Sequence, residues 1–159
     1  MSRSPRLRKL TAVLGPPTAA AVLGNAFIGK EAMAWFRGLR APGMQVRTPA
    51  FVVVGGVYYL QLGTVLYRAH RSDDARVRRW ALLVLAGNEL WNVGFFGRRS
   101  TRNGFLGILM FLVPLLALQK AVRSDPSSVV ALTPYTLWVI GYDVPWTYQL
   151  WRLNQDTSA

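Results

Sequence analysis

The stretch "AGNELWNVGFFG", Ala86 to Gly97, decides how the chain folds. It carries Asn88, Glu89 and Asn92 beside Trp91 and a Phe95-Phe96 pair, inside an apolar run that starts at Trp80. At helical spacing Asn88, Trp91 and Phe95 fall at i, i+3 and i+7 and line up along one side. Glu89, Asn92 and Phe96 form the adjacent line, so the polar groups cover a face and not a ring. Lipid would not tolerate that face, which must turn toward protein or a wet cavity.

Outward from this run, four more segments have the apolarity of a membrane span: about residues 10–28, 50–67, 104–119 and 129–150, with 80–97 as the third of five. A bilayer core needs ~20 helical residues, and ~17 to 25 serve. The fourth segment is short by this measure. Apolar residues run continuously, where barrel strands would alternate over ~10 residues. The expected fold is therefore an all-α membrane protein, a single domain of five transmembrane helices. The basic start before an alanine-rich first span also resembles a signal peptide, yet the apolar stretch exceeds the ~7 to 15 residues such a peptide needs.

Composition agrees. Of 159 residues 52% are hydrophobic and only 16% charged, where a soluble domain carries roughly a quarter charged. Nineteen Lys and Arg face seven acids, giving a net charge of +12. The arginines gather in "RSPRLRK", "RAHRSDDARVRR" and "GRRSTR" between apolar runs, as in loops flanking spans. Little polar chain remains to build a nucleic-acid-binding face, so the bilayer is the expected partner. The Lys and Arg count weakly favours a cytoplasmic N-terminus. Arg in preference to Lys points to a GC-rich bacterial genome and a bacterial cell membrane. With no cysteine, disulfides and thiolate metal sites are excluded. His70, the single histidine, sits in a charged loop and reads as a solvated surface residue, which argues against a His-ligated haem. Phosphate-binding, zinc and nucleophile motifs are missing.

In the fifth span Tyr135, Trp138, Tyr142, Trp146 and Gln149 recur at helical spacing as a second, aromatic stripe. Facing the first, it would enclose a slot. Trp35, Trp80 and Trp151 lie at span ends and read as interface markers. Trp91, Trp138 and Trp146 lie further in, where core packing and a pocket for a flat apolar ligand both remain open. Glu89 and Asp143 are costly, at ~2.5 to 3.5 kcal/mol for a carboxylate near the bilayer centre. Each is either a proton or ligand contact or a structural group bonded to a neighbouring helix. Val144, Tyr148 and Arg152 satisfy a permissive pattern proposed for sterol contact.

Three stretches together resemble the translocator protein family, also called the tryptophan-rich sensory protein or TspO/MBR family. They are "WFRGLRAP" (Trp35 to Pro42) with Phe51 and Tyr59 following, "GNELWNVGFFG", and "PYTLWVIGYDVPWTYQLWRLN". Met44, Val46 and Arg47 stand where the family has a Trp and a Pro pair, and Gly55 where it has a Trp. Glu89 and Asp143 are not typical of it. Trp138 and Trp151 are one residue further apart than usual, with Pro145 between them, so a bulge or kink is expected in the last helix.

The resemblance implies a five-helix membrane protein, often a homodimer, that binds porphyrins and sterol-like or other flat apolar ligands beneath its first loop. By position Tyr59, Asn88, Trp91, Phe95 and Trp138 would line that pocket, Tyr142 would stand near it, and Trp35 would stand at its entrance. The leading expectation is a protein that senses, sequesters or moves tetrapyrroles, with porphyrin or haem as ligand and no required cofactor. The alternatives are a membrane enzyme degrading porphyrin in the light, and a scaffold or proton-coupled transporter subunit using Glu89.

Overall fold

The computed structural model describes residues 15–20, 22 and 28–155. Residues 15–20 are helical; the rest of the expected first span lies almost wholly outside the described residues. Beyond it come a short helix α1 (Lys30–Gly38), α2 (Thr48–Arg71), α3 (Ala75–Asn92), α4 (Thr101–Ala121), α5 (Pro126–Trp138) and α6 (Val144–Leu153). A π-helical turn, Val93–Gly97, prolongs α3, and another, Val139–Asp143, joins α5 to α6 without a break. No strand occurs among the described residues.

Each rod starts where the sequence can satisfy its free N–H groups. Pro49 opens α2, where a missing N–H costs nothing. Asp74 caps α3 by accepting from Val77 N at 2.9 Å, and Ser100 caps α4 by accepting from Asn103 N at 3.2 Å. Asp73 and Arg99, with φ of 52° and 49°, make the sharp reversals just before those caps. Asp125 precedes α5, where Arg68 reaches across to it with two short bonds of 2.7 and 2.6 Å. The rods overrun the expected span boundaries at these ends because the capping and basic residues carry the helix past the apolar runs. The fourth, expected short, reaches Ala121 and continues as a 3-10 turn to Ser124.

One of the two π turns has a local cause. Pro145 has no N–H and its ring crowds the carbonyl of residue 141, so an α-helix cannot continue smoothly there. Val144 N–H reaches back to the Val139 carbonyl, five residues away, and the extra residue is absorbed just before the proline. This is the bulge expected around Pro145. At the end of α3, Arg98 N bonds to Val93 O at 3.0 Å and Ser100 N to Phe95 O at 3.1 Å, also five apart. Nothing in the sequence announces that second turn.

Helix α3 packs along α4, α4 against α6, and α2 against both α3 and α5. One core cluster holds Leu62, Leu66, Val84, Leu115, Leu118 and Leu132 at one end of the bundle. A second, of Phe36, Phe95, Trp146 and Leu150, fills the other end under α1. Outside, the surface is greasy: Leu60, Leu90, Met110 and Val130 are all more exposed than buried. Helices α2 and α4, the latter extended to Ser124, are long and apolar enough to cross a membrane, and only 22% and 28% of their most apolar stretches are buried. An apolar helix that hides little of its apolar surface is matched to hydrocarbon and not to water.

Candidate functional site

A cavity of about 570 Å³ lies between the two clusters, lined from α2, α3, α4, both parts of the α5–α6 rod and α1. From α2 come Phe51, Gly55, Gly56 and Tyr59; from α3 Asn88, Trp91 and Asn92, with Phe96 from its π turn. Trp138, Asp143 and Trp146 complete the wall opposite.

Trp91 is set by glycine. Its indole N–H donates to the Gly104 carbonyl at 2.9 Å, and a Cβ at Gly107 would lie 3.0 Å from its ring. Two side-chain-free positions three residues apart on α4 thus form the groove that holds this ring. Tyr59 is held by an acid: its hydroxyl donates to Glu89 Oε1 at 3.0 Å. Glu89 also accepts from Asn88 Nδ2 at 3.2 Å and Asn92 Nδ2 at 3.4 Å. Glu89 itself is not among the residues that line the cavity. It stands behind the wall and fixes three side chains that form it. On the far side Trp138 Nε1 donates to Asp143 Oδ1 at 3.0 Å.

Helix α1 and the loop after it close one end. Asn154 grips the Arg40 backbone twice, accepting from its N–H at 2.9 Å and donating to its carbonyl at 3.0 Å. Val46 N–H donates to the Tyr142 hydroxyl at 2.9 Å, and Trp146 Nε1 to Gln45 Oε1 at 3.3 Å. Arg99 pairs with Glu31, tying α1 to the α3–α4 turn. The segment is thus pinned chiefly by α6.

Of the residues expected from sequence, Tyr59, Asn88, Trp91 and Trp138 face the cavity. Three expected residues do not. Phe95 is fully buried in the second cluster, stacked on Trp91 with centroids 5.0 Å apart. Tyr142 packs beside Trp138, centroids 4.4 Å apart, and spends its hydroxyl on Val46. Trp35 packs edge-on to Phe95 at 5.4 Å and is not among the residues that line the cavity.

The π turns explain the first two corrections. In an α-helix the residue four after Trp91 shares its face; with an i→i+5 turn between them, the residue five after does. Phe96 therefore replaces Phe95 on the wall. By the same shift Asp143, five after Trp138, replaces Tyr142. Gln149, last of the expected aromatic stripe, is exposed. Of the sterol-contact pattern, Tyr148 lies on the outer surface with Phe105 and Trp151, and Arg152 is exposed, both away from the cavity. Val144 packs against the core.

Sequence reasoning missed Met33 of α1, which also lines the cavity. It missed the Gly55-Gly56 step as well, where a Cβ would meet nothing within 4 Å. The adjacent glycines in an otherwise bulky α2 were the available signal for open space.

These features define a class: an all-helical bundle with a lipid-compatible exterior and an aromatic-walled internal cavity capped by a short helix. A family model described as the TspO/MBR family matches residues 12–152, and the chain belongs to that family. Its members are membrane-embedded helical bundles. No curated protein matches the chain.

Proposed function

We propose that this is a five-span, multi-pass protein of a bacterial cell membrane that binds flat, largely apolar ring systems in the cavity beneath α1. Tetrapyrroles are the leading candidates and sterol-like molecules the next. The protein would sense, sequester or move them as a monomer or homodimer, with no resident cofactor. The observation that carries this reading is the cavity itself. At about 570 Å³ it falls within the ~300–1,000 Å³ of small-molecule sites, and its aromatic walls with a few convergent polar groups match their usual make-up. Ring burial between Trp91, Trp138 and Trp146 supplies affinity, and Asn88 and Asn92 orient the guest.

Gly55, standing where relatives carry a tryptophan, leaves room in place of a ring. That favours a ligand broader than the narrowest slot would take. Glu89 spends both oxygens on Tyr59, Asn88 and Asn92, which supports a wall-organising role over that of a mobile proton carrier.

Titrating the purified protein in non-ionic detergent with protoporphyrin tests the reading. Tryptophan fluorescence should be quenched saturably, and Trp91→Phe combined with Trp138→Phe should weaken binding by about tenfold or more, the ~1.4 kcal/mol expected from losing ring contacts and two indole N–H groups. Unchanged affinity in the double variant would place the ligand elsewhere.

A further inference from the structure

We propose that the cavity selects for positive charge: its preferred guests are flat aromatic cations, rings bearing a quaternary or protonated nitrogen, seated against the Asp143 carboxylate between Trp138 and Trp146. The proposal rests on the ring-binding reading above and narrows it to one charge class.

The first ground is the distribution of charge. The chain has nineteen Lys and Arg against seven acids, so a charged residue placed blindly on the wall would more often be basic. Among the described residues that line the cavity, the one charged side chain is Asp143, and no Lys or Arg joins it. The ion pairs among the described residues are Arg68–Asp125, Arg78–Asp73 and Arg99–Glu31, all at the ends of the rods. Neither Asp143 nor Glu89 takes part in one.

The second ground is geometry. Asp143 Oδ1 accepts the Trp138 indole N–H at 3.0 Å, while Oδ2 takes no hydrogen bond among the described residues. Asp143 is half-buried on the cavity wall and this oxygen is not enclosed, so a cation in the cavity can approach it directly and take up acceptor capacity that no protein group uses. The rings around it suit the same guest. Trp138 and Trp146 line the cavity together with Asp143, and Phe51, also on the wall, lies 5.2 Å from Trp146. Aromatic faces gathered around a carboxylate are the arrangement that recognises organic cations, with tryptophan the strongest contributor.

The third ground lies across the cavity. Tyr59, Asn88 and Asn92 present oxygens that can accept from an ammonium, and Tyr59 donates its own proton to Glu89, which makes its oxygen more negative. A carboxylate brought against this wall would instead meet Asp143 with no cationic side chain to receive it, so an acid-bearing tetrapyrrole fits only with its acid groups turned away from Asp143.

The test uses three molecules of one shape: acridine, N-methylacridinium and acridine-9-carboxylate. Each is titrated into the full-length protein in non-ionic detergent at slightly alkaline pH, where acridine is uncharged, with tryptophan quenching as readout. N-methylacridinium should bind at least about tenfold tighter than acridine, and the carboxylate most weakly. Asp143→Asn keeps an oxygen for the Trp138 indole; it should shrink the preference for the cation over acridine to under about threefold. Asp143→Glu should retain the preference. The wild-type ranking decides by itself, whether or not the variants fold. Acridine binding as tightly as its methylated form, or a preference that survives Asp143→Asn, overturns the proposal and leaves the ring-binding reading standing. Binding of none of the three, with none by protoporphyrin, overturns both.

Discussion

A methyl group at Gly104 is the smallest change that should disturb the cavity from behind. Built on the backbone, the new Cβ of Gly104→Ala would lie 2.5, 3.1 and 3.3 Å from Cδ2, Cε2 and Cγ of Phe95. Carbon atoms rest about 3.5–4.0 Å apart, so the ring must retreat by roughly 1 Å. It has no free direction: Phe95 is fully buried, with Trp35, Phe36, Trp91, Phe96 and Trp146 around it. Overpacking at such a site costs ~1–3 kcal/mol, and the better helix propensity of Ala returns up to ~1 kcal/mol. A net loss of about 1–2 kcal/mol is expected, which for a chain of this size lowers Tm by roughly 2–8 °C.

Thermal unfolding in non-ionic detergent, followed by tryptophan fluorescence, reads the shift directly. Phe95→Leu, a more compliant side chain, should recover part of the Gly104→Ala loss when the two are combined, with a coupling of about 1 kcal/mol between them. Because Trp91 stacks on Phe95 and donates to the Gly104 carbonyl, ring-ligand affinity should fall in step. If Gly104→Ala is as stable as wild type, or the two changes simply add, the close packing of α4 on that aromatic cluster is refuted.

Two further changes probe what holds the bundle together. Asn154→Ala removes both bonds to Arg40 and one to the Leu150 carbonyl; at ~0.5–1.5 kcal/mol per bond, amide hydrogen exchange across residues 38–47 should accelerate by about tenfold or more while α2 and α4 stay protected. Arg68 holds the Asp125 carboxyl well below the usual carboxylate range, with the Ser128 hydroxyl adding to the effect. A depressed acid contributes stability that is present above its unfolded pKa, about 3.9, and fades as pH falls toward its folded value. The Tm gap between wild type and Arg68→Ala should therefore be steady above about pH 5 and narrow below about pH 4; a constant gap down to strong acid would show that the pair is not its source.

The helical bundle was legible because long apolar runs separated by arginine-rich loops leave few alternatives. Part of the cavity wall was legible for the same reason, since Tyr59, Asn88, Trp91 and Trp138 sit on stretches of undisturbed α-helix where spacing of three and four predicts a face. Phe95 and Tyr142 were misplaced because periodicity assumes a constant turn, and each lies within an i→i+5 turn that advances the face by one residue. Pro145 gave notice of one such turn; the other, at Val93–Gly97, has no proline and left no trace. Helix α1 stayed hidden for a different reason. Nine residues with a lysine, a glutamate and an arginine are too short and too polar to read as a span, and what holds them is tertiary contact through Phe36, Met33 and Asn154.

The widened turn between α5 and α6 also bears on which side chains face the cavity. Trp138 is held by its bond to Asp143 and Trp151 by its stack on Phe105, so the residue that Pro145 displaces is looped into the helix between them and not passed along it. The looped residue is then what turns an acid inward and a tyrosine aside. Counting residues through this rod at a constant turn would set the tyrosine on the wall and overlook that its neighbour stands there.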